Sequence, residues 1–176
     1  MKIVSSTLKR AVGPALAAGL LVTALATPAS GQDYGSQAIR LTTYVTLYAE
    51  AGVENQMSAT ISNDRLILDD TTGVATNTCG HRPGSTSVDC GRASTVLQLD
   101  IHMVDRNDSY QGKIALPTRV DAGLGADTVT TGSSNDTILV RDGVGNDTVS
   151  CGGGSDVVVG DVGDTIAADC EVRNLV

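Results

Sequence analysis

Between residues 39 and 50, apolar and polar side chains alternate. Ile39, Leu41, Thr43, Val45, Leu47 and Ala49 fall on one face, and Arg40, Thr42, Tyr44, Thr46, Tyr48 and Glu50 on the other. A period of two over that length predicts a half-buried strand. Ala51 to Asn55 reads as a turn, and Met57, Ala59 and Ile61 continue as a second strand. Ser62, Asn63 and Asp64 turn again before a third strand over 65–69. The stretch 70–94 is rich in Thr, Gly and Ser, contains Pro83, and predicts a loop. Alternation returns over 96–104, where Leu97, Leu99, Ile101 and Met103 share a side. No amphipathic helical period appears beyond the N-terminal stretch, so the chain is expected to be all-β.

From Ala122 onward the pattern becomes a repeat. Asp127, Asp136, Asp147, Asp156 and Asp164 stand 9, 11, 9 and 8 residues apart. Two residues after each comes a β-branched side chain: Val129, Ile138, Val149, Val158 and Ile166. Glycines precede the aspartates, at Gly123 and Gly125, Gly132, Gly143 and Gly145, and Gly152 and Gly154. The spacing sets one carboxylate in each unit, always just before a β-branched residue. The units are not uniform. Ala122 and Ser134 stand where glycines are expected, the fifth unit is one residue short, and Val140 and Arg141 are extra. An insertion of two keeps the strand period, so Ile138 and Val140 are both expected to face inward.

These units resemble the repeat-in-toxin, or haemolysin-type, calcium-binding nonapeptide, Gly-Gly-x-Gly-x-Asp-x-U-x with U large and apolar. The match covers about 122–167, and the run Asp105 to Ser109 looks like a decayed earlier copy. The arrangement is also similar to small exported calcium-binding-repeat proteins of actinobacteria, in its β-rich front, its early Cys pair and its closing Asp169, Cys170 and Glu171. The resemblance implies a small antiparallel β-domain followed by a short parallel β-roll of about five nonapeptide half-turns. Alternate loops would stack on one side, with Ca²⁺ between them on Asp carboxylates and loop carbonyls. The implied metal-site residues are Gly123, Gly125, Asp127, Gly132, Asp136, Gly143, Gly145, Asp147, Gly152, Gly154, Asp156 and Asp164. Asp127 with Asp147 and Asp136 with Asp156 would be the better sites, and Asp147 with Asp164 a weaker third. The implied division is 1–31 leader, 32–116 β-rich domain and 117–176 roll. The sequence equally allows 32–116 to be the opening turns of one continuous β-structure.

The N-terminus sets the compartment. Lys2, Lys9 and Arg10 precede an apolar stretch from Ala11 to Ala26, and small residues follow to Gly31. That core runs about 16 residues and contains Pro14, where a membrane span wants roughly 20, so a secretory leader is expected and no membrane insertion. With those three bases set aside, 9 of the 12 basic residues remain against all 20 acids. The excess excludes phosphate-neutralising chemistry and hence nucleic acid as a partner. Ten of the acids lie between Asp121 and Glu171 with one base, Arg141, a concentration that needs a neutralising partner. Cys79, Cys90, Cys151 and Cys170 form an even set in a chain expected to be secreted, which reads as disulfides. Three pairings can be drawn, of which the local one, Cys79 to Cys90 and Cys151 to Cys170, is favoured over a zinc site at Cys79, His81 and Cys90.

Catalytic constellations are missing. The chain has no G-x-S-x-G elbow, no H-E-x-x-H and no P-loop. An EF-hand starting at Asp105 fails at Tyr110, where glycine is required, and at Leu116, where glutamate is required. The sequence therefore predicts a non-catalytic, extracellular calcium-binding module whose cell-surface or protein partner it does not specify. The competing expectations are a metal-independent, disulfide-stapled surface adhesin and, third, a hydrolase with an unrecognised site.

Overall fold

The computed structural model describes residues 34–176, so the leader expected over 1–31 lies outside the described residues. Its strands form two 8-stranded sheets, with no α-helix among the described residues. Strand β1 (Ser36–Leu41) turns back on β2 (Tyr44–Ala49) as an antiparallel hairpin, Leu41 opposite Tyr44. The single strand expected over 39–50 is thus broken at Thr42, which takes φ 50°. A β-branched residue rarely adopts that conformation, and no glycine, proline or asparagine marks the turn. The hairpin changes which residues face inward: Ala38 and Val45 are buried while Leu41 is exposed. Strands β3 (Gln56–Ser62) and β4 (Arg65–Asp70) make a second hairpin through Asn63 and Asp64, both at φ > 0. This is the two-residue turn that matches strand twist. The expected loop 70–94 carries three short strands, β5 (Val74–Thr76), β6 (Gly80–His81) and β7 (Val88–Arg92). They add to the edges of the two sheets, and a Cys79–Cys90 disulfide links the approach to β6 with β7.

The rest of the chain alternates between the sheets. One sheet receives β8 (Gln98–His102), β10 (Thr118–Asp121), β12 (Thr137–Leu139), β14 (Val157–Gly160) and β16 (Val172–Leu175). The other receives β9 (Ser109–Gly112), β11 (Thr128–Thr130), β13 (Thr148–Ser150) and β15 (Thr165–Ile166). Each pairs parallel with its predecessor in the same sheet, and the parallel run begins at β2 and β3, before the Gly/Asp units. Strand β8 pairs with β10 and β9 with β11 across Pro117, and the described residues fall in one compact unit.

Register stacks the inward side chains in two rows. Leu47, Ile101, Val120, Ile138 and Val158 are successive partners in one sheet. Met57, Tyr110, Val129, Val149 and Ile166 are successive partners in the other. All are buried except Ile166, which is half-buried against the same core. Val140 is buried beside Ile138, as the insertion of two requires. Ala122, just after β10, is fully buried among the core side chains. A Cys151–Cys170 disulfide ties the penultimate turn to the chain entering β16.

Candidate metal centre

Each repeat aspartate sits immediately before a short strand, so parallel register places it directly over its counterpart one full coil away. The stacking is fixed by hydrogen bonds from backbone to side chain. The Asp127 N–H donates to Asp147 Oδ1 at 2.7 Å, and the Asp147 N–H to Asp164 Oδ1 at 3.1 Å. The Asp136 N–H donates to Asp156 Oδ1 at 2.7 Å. Asp127, Asp147 and Asp164 therefore form one column and Asp136 and Asp156 another, with every carboxylate reaching back towards the preceding coil.

Both columns run beyond the recognisable units. In the first, the Asn55 N–H donates to Asp108 Oδ1 at 2.7 Å and the Asp108 N–H to Asp127 Oδ1 at 2.8 Å. In the second, the Thr118 N–H donates to Asp136 Oδ1 at 2.7 Å and the Asp156 N–H to Glu171 Oε2 at 2.9 Å. Sequence reasoning gave Asn55, Asp108, Thr118 and Glu171 no ligand role, although it reads the run Asp105 to Ser109 as a decayed copy. The available signal was the buried residue two positions on, Met57, Tyr110 and Val120, for the first three. Other side chains lace the loops in the opposite direction: Asn107 and Asn135 accept N–H groups of Ala126 and Ser155 from the next coil. Asp142, Asp161 and Asp169 bind further loop N–H groups and were also overlooked.

The loops are stacked too closely for side chains at several glycines. A Cβ on Gly132 would lie 1.9 Å from the Ile114 carbonyl oxygen, on Gly152 2.1 Å from that of Gly132, and on Gly154 2.4 Å from that of Ser134. Gly123 and Gly125 press equally on the carbonyls of Val104 and Arg106, and Gly145 on that of Val162. Gly143 takes φ 94° but has open space around it.

The electrostatics are one-sided. Asp108, Asp127, Asp136, Asp147 and Asp156 are all at most 2% exposed. Burial pushes the first four carboxyls up to about 6, against the backbone N–H that holds each down, and it raises Asp156 too. Neighbouring carboxylates in the same column add to the rise. Asp169 goes the other way: burial is outweighed by hydrogen bonds from Gly152, Ser150 and Cys151. One oxygen of each column aspartate is occupied, and the second is buried without any partner at Asp108, Asp127 and Asp156. A buried, unpaired carboxylate oxygen costs on the order of 1–3 kcal/mol or more, which a cation removes.

The donor set is oxygen only: carboxylates in the columns and carbonyls at the loop contacts. That composition fits a hard cation such as Ca²⁺, which takes 6–8 oxygens, and not zinc, which prefers nitrogen and sulfur. Cys151, Asp169 and Cys170 also bring ligand-type atoms within 4.8 Å of one another, but both sulfurs are spent in the disulfide. His102 lies outside the columns, stacked on the Tyr48 ring at 4.8 Å. No protein-family model matches the chain, and no curated protein or solved structure matches it.

Proposed function

We propose that the protein is a secreted, non-catalytic calcium-binding module of the repeat-in-toxin type, in which the coil is a β-roll and Ca²⁺ completes the packing of its Asp/Gly loops. One observation carries this reading: the column aspartates are buried with one oxygen tied to backbone and, at Asp127 and Asp156, the other left bare. Asp127, Asp147, Asp136 and Asp156 would hold the ions, with carbonyls of the surrounding glycine loops completing the shell. Bound calcium supplies the positive charge that ten acids and one base between Asp121 and Glu171 lack. Its binding to the folded state alone adds to folding free energy. The basic, apolar N-terminal stretch and the two disulfides support export to an oxidising compartment.

The test is far-UV circular dichroism, melting and size exclusion in chelator and in rising calcium. Extracellular calcium modules bind at about 10⁻⁴ to 10⁻³ M, and β-signal and melting temperature should rise while the hydrodynamic radius shrinks over that range. Magnesium, held to a small octahedral shell, should do far less. Identical spectra, radii and melting points with and without calcium defeat the proposal. The second reading, a metal-independent, disulfide-stapled surface protein, then takes its place. It is favoured by the same N–H to carboxylate ties, which join the coils without an ion.

A further inference from the structure

We propose a calcium site that extends beyond the Gly/Asp units, where Asn55 and Asp108 in the front of the coil meet Asp127 of the first unit in one column. Strands β3, β9 and β11 are parallel neighbours with Gln56, Ser109 and Thr128 in register, so the three residues just before them stack in one row. Adjacent rungs are about 4.8 Å apart. Each rung presents a buried acceptor with no donor: Asn55 Oδ1, Asp108 Oδ2 and Asp127 Oδ2. The residues are 1%, 2% and 2% exposed.

The Asn55 amide cannot turn to relieve the shortage. Its Nδ2 donates to the Gly35 carbonyl at 2.6 Å and to Asp70 Oδ2 at 2.7 Å, and both partners only accept. Asp70 is held in turn by the Thr72 N–H and hydroxyl on its other oxygen. The amide oxygen is thereby fixed as an acceptor. Asp105, Asp70 and Glu54 add like charge around Asp108. A row of acceptors in a negative field calls for a cation rather than water, because water supplies protons but no net charge. Calcium–oxygen distances of about 2.3–2.6 Å let one ion bridge oxygens about a strand spacing apart.

The loop feeding this row has the backbone of a repeat without its glycines. Val104 and Arg106 take φ 74° and 78°, four and two residues before Asp108, as Gly123 and Gly125 take positive φ before Asp127. Without its glycines the unit reads from the sequence only as a decayed copy. The identity of the ion rests on the calcium reading above; the site itself rests on the three bare oxygens.

The test uses the full exported chain and three variants: Asp108→Asn, a triple Asp136→Asn/Asp147→Asn/Asp156→Asn, and the four changes combined. Calcium chloride is titrated by calorimetry, and terbium luminescence sensitised by tyrosine gives a second readout, Tyr110 lying two residues beyond Asp108. The triple variant should retain one calcium ion, and adding Asp108→Asn should weaken that binding at least tenfold. The substituted amide keeps an acceptor for the Asn55 N–H and removes a buried charge, so Asp108→Asn in chelator should melt no lower than wild type while its gain with calcium shrinks. Should Asp108→Asn not fold, Asp105→Asn replaces it, with a two- to fivefold loss expected. If wild type binds calcium but the triple variant binds none, or Asp108→Asn changes nothing, this site is overturned and the repeat sites stand. If wild type binds no calcium, both fall.

Discussion

The front and rear of the coil share a backbone path but are filled differently. In front, β2, β3, β8 and β9 bury Val45, Leu47, Met57, Ala59, Leu99, Ile101 and Tyr110, and β4 and β7 add Leu66, Leu68 and Val88. In the rear, β11, β12, β13 and β14 each bury a single Val or Ile at the strand centre, and the loops between them are rich in glycine and aspartate. Burying a large aliphatic or aromatic side chain contributes about 1.5–3 kcal/mol, so the front is held by apolar volume. The rear has less of it per residue ordered and relies on N–H to carboxylate ties and a disulfide. Parallel pairing and register therefore do not require a thick core; they require only that each coil repeat the path of the last.

The largest expected effect is on local opening. In chelator, backbone amides of β11 to β15 should exchange faster than in calcium, by about 100-fold for each site held at a hundred times its dissociation constant. Amides of β2 and β8 should hardly change. Hydrogen exchange by mass spectrometry resolves the two regions, and uniform protection changes would erase the contrast drawn here.

Acid should separate them next. Asp108, Asp127, Asp136 and Asp147 are pushed up to about 6, and three of the four lie in the rear. A carboxyl with a raised folded pKa keeps its proton in the fold where the unfolded chain has lost it. That contribution is present at the acid end and is lost as pH rises from about 4 to 6. Asp64, Asp89 and Asp169 are lowered and stay ionised throughout this window. In chelator the melting temperature should fall between pH 4.5 and 7, and calcium, which favours the ionised columns, should flatten or reverse the slope. Scanning calorimetry that finds a rising profile in chelator would show the columns are not desolvated.

A smaller effect compares a crowded loop glycine with an open one. A Cβ on Gly125 would sit 1.6 Å from the Arg106 carbonyl oxygen, whereas Gly153 has nothing within 4 Å. Gly125→Ala should cost on the order of 3 kcal/mol, and Gly153→Ala should stay within about 0.5 kcal/mol. The front counterpart, Arg106→Gly, removes a left-handed side-chain penalty and should stabilise by less than about 1 kcal/mol. Denaturant titrations measure all three.

These loops also show why part of the molecule could be read directly and part could not. Asp127 to Asp164 announce themselves because glycine and aspartate recur together with a β-branched residue at fixed distance, and register then fixes their columns. The same geometry at Asp108 uses Val104 and Arg106 for the left-handed positions, and at Thr118 it uses no acid at all. The hairpin at Thr42 is equally silent, because alternation continues through the turn while the inward face changes. The disulfide partners follow from proximity along the chain: Cys79 with Cys90 and Cys151 with Cys170, 11 and 19 residues apart. Strands β5 to β7 escaped because a Thr, Ser and Gly-rich edge has no period; tertiary pairing alone orders it.

Every column carboxylate reaches back, never forward: Asp108 to Asn55, Asp127 to Asp108, Asp147 to Asp127, Asp156 to Asp136, Glu171 to Asp156. A coil is thus completed by chain that follows it. A polypeptide delivered N-terminus first finds, at each step, a row of N–H groups already in place to receive the next carboxylate. The order of the ties matches the order of synthesis, like a zip whose slider travels from the N-terminus. The Cys151–Cys170 bond, formed only once the final turn has emerged, is the stop at its end.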